Sequence, residues 1–435
     1  MRNRRLGLIS LLAADGISRA GNAVTVVAVP LYVLMTTQSA LAAGIVGVFA
    51  TVPIVIGGAL GGVLVDRLGW RASSILADLA SGVTVLAIPV LAGFDLLPFW
   101  LLVTLVFLSG LLDVPGSTAR ISLMPDLVER AGMRLSRATG AHATVQRSAT
   151  LLGAGGAGLL IAVAGPAEAL YVNAACFALS ALVTAVGIPR ILHRSTEPAP
   201  SDDETDATGG YWRTLASGFR YVAQQPLVRA IVLLVVVTNA IDAAGMTVLK
   251  PVYATSVDPD GAFLGAMLAC FAGGALLGAA CYSAVGHGLR QRRLLIVTFF
   301  VAGVSPYAAM ALGIPDVALL VVIAVAGFAA GPINPILDTA LLALLPAGLR
   351  ARVFGAIAAG VAAAMPLGAL LAGVGVETWG LLPCLIVAAV LYAIATLSTV
   401  FVRDWRRLDD PPRDAQAESA IARDVGTTSA SAQGA

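Results

Sequence analysis

The chain contains 435 residues, of which 58% are hydrophobic and only 12% are charged, and its mean hydropathy is +0.89. A soluble globular protein carries roughly 25% charged residues, so this composition excludes a chain that folds mainly in water and indicates an integral membrane protein. The formal net charge of +2 offers no basic surface for nucleic acid. The four cysteines lie in apolar runs without metal-ligand spacing, and the sequence predicts neither a metal site nor a cofactor.

Twelve apolar runs are long enough to cross a bilayer, which takes about 20 residues as a helix. The predicted fold class is therefore all-α integral membrane, with twelve transmembrane helices in two six-helix halves. The first run follows three arginines, but Asp15 and Arg19 interrupt it, so it predicts an uncleaved span and not a signal peptide. The runs begin near Leu8, Ala40, Ser73, Leu97, Ala138, Ala167, Leu227, Ala262, Arg293, Asp316, Arg352 and Leu381.

An internal repeat supports the division into halves. The segment Gly57-Gly58-Ala59-Leu60 recurs as Gly273-Gly274-Ala275-Leu276, and Gly110 with Pro115 recurs as Gly327 with Pro332 at almost the same offset. Repeated halves are typical of secondary transporters. The predicted domains are an N-terminal half at 1–190, a cytoplasmic linker at 191–225, a C-terminal half at 226–402 and a disordered cytoplasmic tail at 403–435.

Arginine placement predicts the orientation. If every run crosses the membrane, the arginine groups fall on one side, and the opposite loops near Thr37, Asp95, Glu168, Asp258, Asp316 and Glu377 hold none. Loops rich in arginine are cytoplasmic in bacterial membranes, so both termini are predicted to be cytoplasmic in a bacterial plasma membrane. Arg120 belongs to the cytoplasmic loop arginines in this scheme, and His142, His193 and His287 are predicted to be surface or loop histidines.

A loop motif follows the second run, at residues 62–71. It reads Gly62-Val63-Leu64-Val65-Asp66-Arg67-Leu68-Gly69-Trp70-Arg71 and resembles the G-x-x-x-D-R-x-G-R-R motif of the major facilitator superfamily. In that family the motif latches the two halves at the cytoplasmic surface. The resemblance implies that Gly62, Asp66, Arg67, Gly69 and Arg71 form a gate. A plain positively charged turn is the alternative, and Tyr282 replaces the aspartate in the second half.

Further segments are similar to the exporter branch of this superfamily, which includes enterobactin and macrolide efflux proteins. The stretch 171–180 resembles the sixth span of that branch, and Arg350-Ala351-Arg352-Val353-Phe354-Gly355 resembles its junction before span eleven. Gly153, Gly155, Gly156 and Gly158 form a glycine stripe in span five, which indicates either an antiporter motif or close helix packing.

Charged residues inside the spans are the candidate site. Each costs about 2.5 to 3.5 kcal/mol at a helix centre on insertion scales, so such residues generally face a cavity or a partner. The predicted substrate and proton cavity comprises Asp15, Arg19, Asn22, Asp113, Arg147, Asn239, Asp242 and Asn334. Asp15 and Arg19, one turn apart, form a local ion pair or contact substrate. Asp113 is expected to pair with Arg147 at a matched depth, and Asp338 is expected to be interfacial.

Asp242 differs from the other carboxylates because its neighbours one turn away along the helix are uncharged and Lys250 is two turns further on. A carboxylate without a cation close by favours a role as proton carrier, although a structural hydrogen bond to Asn239 or Thr238 is the alternative.

The sequence therefore predicts a secondary active transporter and not an enzyme. It exports a small amphipathic or hydrophobic molecule such as a drug, siderophore or metabolite, with protons as coupling ion, membrane lipids as surroundings and a monomer as the working unit. An ATP-driven pump is excluded because the only lysine, Lys250, lies outside any Walker A pattern. An uptake symporter or facilitator of the same fold remains an alternative, as does, less favourably, a membrane-embedded enzyme.

Overall fold

The computed structural model describes residues 2–189, 219–258, 261–285, 291–345 and 349–401. Within these ranges only the backbone is described at 2–4, 54–55, 57–68, 135–136, 285, 342–343, 350–351 and 400–401. Most of the predicted linker at 191–225 and the whole predicted tail at 403–435 lie outside the described residues, as do His193 and His287.

The described residues form twelve long helices. Six belong to the N-terminal half: α1 (Arg2–Thr37), α2 (Ala40–Leu68), α3 (Trp70–Gly93), α4 (Phe99–Ala131), α5 (Leu135–Ala164) and α6 (Pro166–Gly187). Six belong to the C-terminal half: α7 (Pro226–Val257), α8 (Ala262–Val285), α9 (Gln291–Ala311), α10 (Asp316–Leu344), α11 (Arg350–Trp379) and α12 (Leu381–Phe401). Eleven are long and apolar enough to cross a membrane, and the described apolar part of α2 is Ala40–Pro53.

Helix ends coincide with residues that favour them. Pro166 and Pro226 begin α6 and α7, where the missing amide hydrogen of proline costs no helical hydrogen bond. Gly132 ends α4 in the left-handed conformation, with φ 65°, a conformation that glycine adopts without steric penalty. These signals keep the connections between consecutive spans short.

The two halves meet along two helix pairs, α2 with α11 and α5 with α8. Both pairs come closest at glycines. A Cβ atom at Gly158 of α5 would overlap the backbone of Gly265 in α8, and one at Gly44 of α2 would come within 3.2 Å of the Cα atom of Gly373 in α11. All four glycines lie near the helix ends that face away from the arginine-rich loops, so the halves are closed together at the arginine-poor end.

Two helices of the C-terminal half contain one wide π turn each. Gly245–Leu249 forms the π turn of α7 and Phe300–Val304 that of α9. π turns inside α-helices occur frequently at functional sites. In addition, α10 is interrupted between Ala330 and Ile333, which separates a first segment, Asp316–Ala330, from a second segment, Ile333–Leu344.

The helix α4 corrects one prediction. The arginine pattern predicts Arg120 in a cytoplasmic loop, but α4 continues for eleven residues beyond it to Ala131, which places Arg120 about 16 Å from the helix end at 1.5 Å per residue. Its side chain is 1% exposed. The sequence is misleading here because the side chain of Arg120 faces neighbouring helices and not water.

Candidate functional site

Arg120 is the centre of a buried charge cluster in the N-terminal half. One terminal nitrogen of its guanidinium donates to both carboxylate oxygens of Asp78 in α3, at 2.9 and 3.0 Å. The Nε atom lies 3.3 Å from Asp15 in α1, and the other terminal nitrogen lies 3.8 Å from Asp113 in α4. A single cation therefore faces three carboxylates.

Asp15 has further partners besides Arg120. Arg19 lies one turn along α1, with its Nε atom 3.0 Å from Asp15 Oδ2. From α5, Gln146 donates an amide hydrogen bond of 3.2 Å to the same oxygen, and His142 Nε2 lies 3.1 Å from it. The predicted ion pair between Asp15 and Arg19 is thus present, as part of a larger cluster that joins α1 to α5.

Asp78 belongs to this charge cluster but is not among the site residues that the sequence predicts. It is fully buried, and Ser180 of α6 donates a hydrogen bond of 2.7 Å to its second oxygen. The signal was available, because Asp78 interrupts the apolar third span just as Asp113 interrupts the fourth.

The predicted pair of Asp113 with Arg147 is wrong. Asp113 accepts a hydrogen bond of 2.9 Å from Asn22 of α1 and faces Arg120. Arg147 instead forms an ion pair with Asp338 of α10. Matched depth could not distinguish the partners, because the direction in which each helix turns its side chains is set by packing. Asn22, predicted to line the cavity, is one of the partners that orient Asp113.

The prediction that His142 is a surface or loop histidine is also wrong. His142 lies inside α5, and its side chain is 12% exposed while it contacts Asp15. Its place near the start of the fifth run suggested a loop, but the helix begins earlier, at Leu135.

The ion pair between Arg147 and Asp338 crosses from one half to the other. Both side chains are about half exposed, 45% for Arg147 and 48% for Asp338, although α5 and α10 face each other between the halves. The pair therefore lies on an accessible surface between the halves, and Asp338, expected to be merely interfacial, joins the C-terminal half to Arg147 of the N-terminal half.

The C-terminal half holds a second polar centre around Asp242 of α7. Its side chain is exposed, and the hydroxyl of Tyr392 in α12 lies 3.4 Å from its Oδ2 atom. The structure shows no ion pair of Asp242 within 4.0 Å among the described residues. Lys250 interacts with it electrostatically at longer range, and its ammonium lies 5.5 Å from the centroid of the Phe271 ring.

The two π turns position the tyrosines of this centre. A Cβ atom at Gly303, in the π turn of α9, would overlap the ring of Tyr392, and one at Gly245, the first residue of the α7 π turn, would overlap the hydroxyl of Tyr307. That hydroxyl donates a hydrogen bond of 3.2 Å to the carbonyl of Ile241. Glycine at both places lets the tyrosines pack against a helix backbone, Tyr392 against α9 and Tyr307 against α7.

The remaining predicted polar residues have different surroundings. The side chain of Asn239 donates to the carbonyl of Val235 in its own helix at 2.8 Å. Asn334 is exposed at the second residue of the second segment of α10. Neither joins the charge cluster or the surroundings of Asp242 through a hydrogen bond that the described residues show.

Only part of the predicted gate motif is described in full. Gly62, Asp66 and Arg67 lie in the last turns of α2, but their side chains fall outside the described part of the structure. Gly69, with φ 79°, makes the sharp turn between α2 and α3. Arg71 donates hydrogen bonds to the carbonyls of Ile188, at 2.8 Å, and Ala185, so in this conformation it binds the end of α6.

Two six-helix halves with ionisable groups between membrane-length helices define a transporter of the major facilitator fold. A solved structure of the nucleoside transporter NupG superposes with a TM-score of 0.66, at 15% sequence identity over 90% of this chain and 98% of that one. A mutant of the same transporter gives the same TM-score at 14% identity. The likeness establishes the fold, and it confirms the predicted fold class.

The chain belongs to the transmembrane secretion effector family, whose model matches residues 7–431. It is 32% identical over 413 residues to the multidrug efflux pump Tap of Mycolicibacterium fortuitum, covering 94% of this chain and 99% of that protein. It is 30% identical over 417 residues to the multidrug efflux pump Tap of Mycobacterium tuberculosis strain H37Rv, covering 95% and 97%. The chain is thus a multi-pass membrane transporter and not an enzyme, and its likeness to enterobactin and macrolide exporters stays a prediction.

Proposed function

We propose that this chain exports small amphipathic or hydrophobic compounds, drugs among them, across the bacterial plasma membrane in exchange for protons. Its relationship to proteins named multidrug efflux pumps extends over nearly the whole length of both chains, which supports the substrate class and the direction. Alternating access, the general mechanism of transporters built from two repeated halves, supplies the motion.

The exposed carboxylate of Asp242 is the observation that carries the proposal. An acidic side chain inside a membrane-length helix is costly unless it has a partner or a function. Asp242 faces solvent-accessible space with a tyrosine hydroxyl beside it, and the described residues place no cation within 4.0 Å of it. A carboxylate in this position can take a proton from one side of the membrane and release it on the other as the cavity changes its opening.

The contacts between the halves suggest how the cavity opens. At the arginine-poor end the halves touch through glycines, and nearer the arginine-rich end they are joined by the partly exposed pair of Arg147 and Asp338. With the arginine-rich end cytoplasmic, as the arginine asymmetry supports, this conformation is closed toward the outside. Substrate then enters from the cytoplasm, and the glycine contacts separate when the compound is released.

Everted membrane vesicles test the proposal. Vesicles that carry the transporter should accumulate the dye ethidium when their interior is acidified, and accumulation should stop when a protonophore removes the proton gradient. Asp242→Asn should abolish gradient-driven accumulation but still allow dye to move down its own gradient. The control is Asp95→Asn, because Asp95 is exposed between α3 and α4 with φ 54°, a conformation that asparagine also tolerates.

Three results would contradict the proposal. Gradient-driven transport by Asp242→Asn equal to that of the unchanged protein would remove Asp242 as the proton carrier. Dye movement out of everted vesicles on acidification would favour an uptake symporter, and dye entry that only equilibrates, whatever the proton gradient, would favour a facilitator.

A further inference from the structure

The charges of the N-terminal cluster do not balance. Among the described residues its carboxylates are Asp15, Asp78 and Asp113, and its permanent cations are Arg19 and Arg120. With every carboxylate ionised, three negative charges face two positive ones. The sixth ionisable member, His142, decides whether the cluster carries one net negative charge or none.

An uncompensated charge is expensive at this place. Asp15 and Arg120 are 1% exposed and Asp78 is 0% exposed, so water cannot screen the excess charge. A buried charge without a counterion costs several kcal/mol. One additional proton removes the excess, and the cluster therefore has a physical reason to hold one proton that it can exchange.

The geometry around His142 favours its imidazole as the holder of that proton. His142 Nε2 lies 3.1 Å from Asp15 Oδ2. Two lone pairs at that separation would repel each other, so Nε2 carries a hydrogen and donates it to Asp15. The amide nitrogen of Gln146, 3.1 Å from the same imidazole nitrogen, donates to the same carboxylate oxygen, so Asp15 Oδ2 accepts from both side chains of α5.

Two groups of the cluster reach solvent and can gain or lose a proton. His142 is 12% exposed and Asp113 is 21% exposed, whereas Arg19, though accessible, keeps its charge at all relevant pH values. Histidine is the side chain that ordinarily exchanges its proton between about pH 5 and 8. Asp113 is held instead by Asn22, which donates to it at 2.9 Å.

We propose that His142 is a proton-binding site of the transporter, protonated when it bridges α5 to Asp15 of α1 and neutral when that bridge opens. His142 contacts Asp15 of α1, and the other charged groups of the same cluster are Arg19 from α1, Asp78 from α3, and Arg120 and Asp113 from α4. On its own helix Arg147 is already engaged with Asp338. The inference rests on the proposed proton exchange for its role in transport, but not for the protonation itself.

Nuclear magnetic resonance of ring-labelled histidine tests the protonation without any transported compound. The full chain in lipid nanodiscs has three histidines, and His142→Gln identifies the signal of His142 by its disappearance. We expect the signal of doubly protonated imidazole, and its conversion to that of singly protonated imidazole as the pH is raised.

Substitutions of the cluster give the sharper result. Asp15→Asn and Asp113→Asn each remove one negative charge, so each should lower the doubly protonated fraction of His142 at fixed pH by about fivefold or more. Two variants are used so that the test survives if one of them fails to fold. The matched control is Glu129→Gln, an exposed acid near the end of α4, which should leave the signal unchanged.

The outcomes separate this inference from the proposed function. A singly protonated His142 at every pH between about 5 and 8 overturns the inference, as does a doubly protonated fraction that neither aspartate substitution changes. If His142 titrates as expected but dye accumulation ignores the proton gradient, the proton site stands and proton antiport fails.

Discussion

One terminal nitrogen of Arg120 donates to both carboxylate oxygens of Asp78, at 2.9 and 3.0 Å, and both side chains are almost completely buried. The contact joins α4 to α3, and Ser180 ties the same carboxylate to α6. Three helices of the N-terminal half are therefore fixed to one another by a single polar centre.

Removing one member of this pair should be strongly destabilising, because the other charge is left buried without its partner. We expect Asp78→Asn and Arg120→Gln each to lower the free energy of unfolding by about 3 to 5 kcal/mol. The double substitution should cost less than the sum of the two. Thermal unfolding in detergent measures the effect, and simple additivity in the double-mutant cycle would contradict a direct interaction.

The ion pair between the halves predicts that Arg147 is energetically coupled to Asp338, whereas the sequence predicted a pair with Asp113. Arg147→Gln should be coupled to Asp338→Asn and additive with Asp113→Asn. Because the pair is about half exposed, its coupling energy should be only about 0.2 to 1 kcal/mol and should fall with salt. The measurement is a double-mutant cycle on thermal stability at low and high ionic strength. Coupling of Arg147→Gln to Asp113→Asn would contradict the prediction, because Arg147 would then face α4 and not α10.

The glycine contact between Gly158 and Gly265 should control closure at the arginine-poor end. Gly158→Ala places a methyl group against the Gly265 backbone, and overpacking of this kind typically costs about 1 to 3 kcal/mol. The equilibrium should shift toward opening at that end.

A reporter cysteine in a cysteine-free background measures this shift. Ala40→Cys is suitable because Ala40 is 6% exposed where α2 meets α11, and its labelling by a membrane-impermeant maleimide should become faster. Gly156→Ala is the matched control, since a Cβ atom there meets nothing within 4 Å. Equal labelling rates in both variants would reject the contact as a closure point.

Asp66 and Arg71 of the gate motif should have different roles. Arg71→Ala removes two hydrogen bonds to the end of α6, where a cation also interacts favourably with the helix dipole, and should cost about 1 kcal/mol of stability. Asp66→Asn should leave stability unchanged and slow the transport cycle, as the resemblance to the superfamily motif implies. Unfolding temperature and the rate of dye accumulation distinguish the two, and slower transport without lower stability in Arg71→Ala would assign Arg71 to the gate.

The sequence alone determined that the chain folds in a lipid bilayer, how many long helices it forms and that these helices make up two halves. Hydrophobic runs of membrane length must form helices because no water in the bilayer core can satisfy the backbone, and this local requirement needs no tertiary information. Asp15, Asp113 and Asp242 could be identified as significant for the same reason, since a charge in an apolar run stands out from composition alone.

Only the tertiary structure decided which of these charges meet. The sequence pattern predicts Arg120 in a loop and His142 at the surface, yet both contact Asp15; Arg147 binds Asp338 and not Asp113. Depth along a span can be counted from the sequence, but the face that a helix turns toward its neighbours depends on packing between helices, here on close contacts such as Gly158 with Gly265. Partners in a bundle are set by rotation and approach of whole helices, and neither is encoded in any single run.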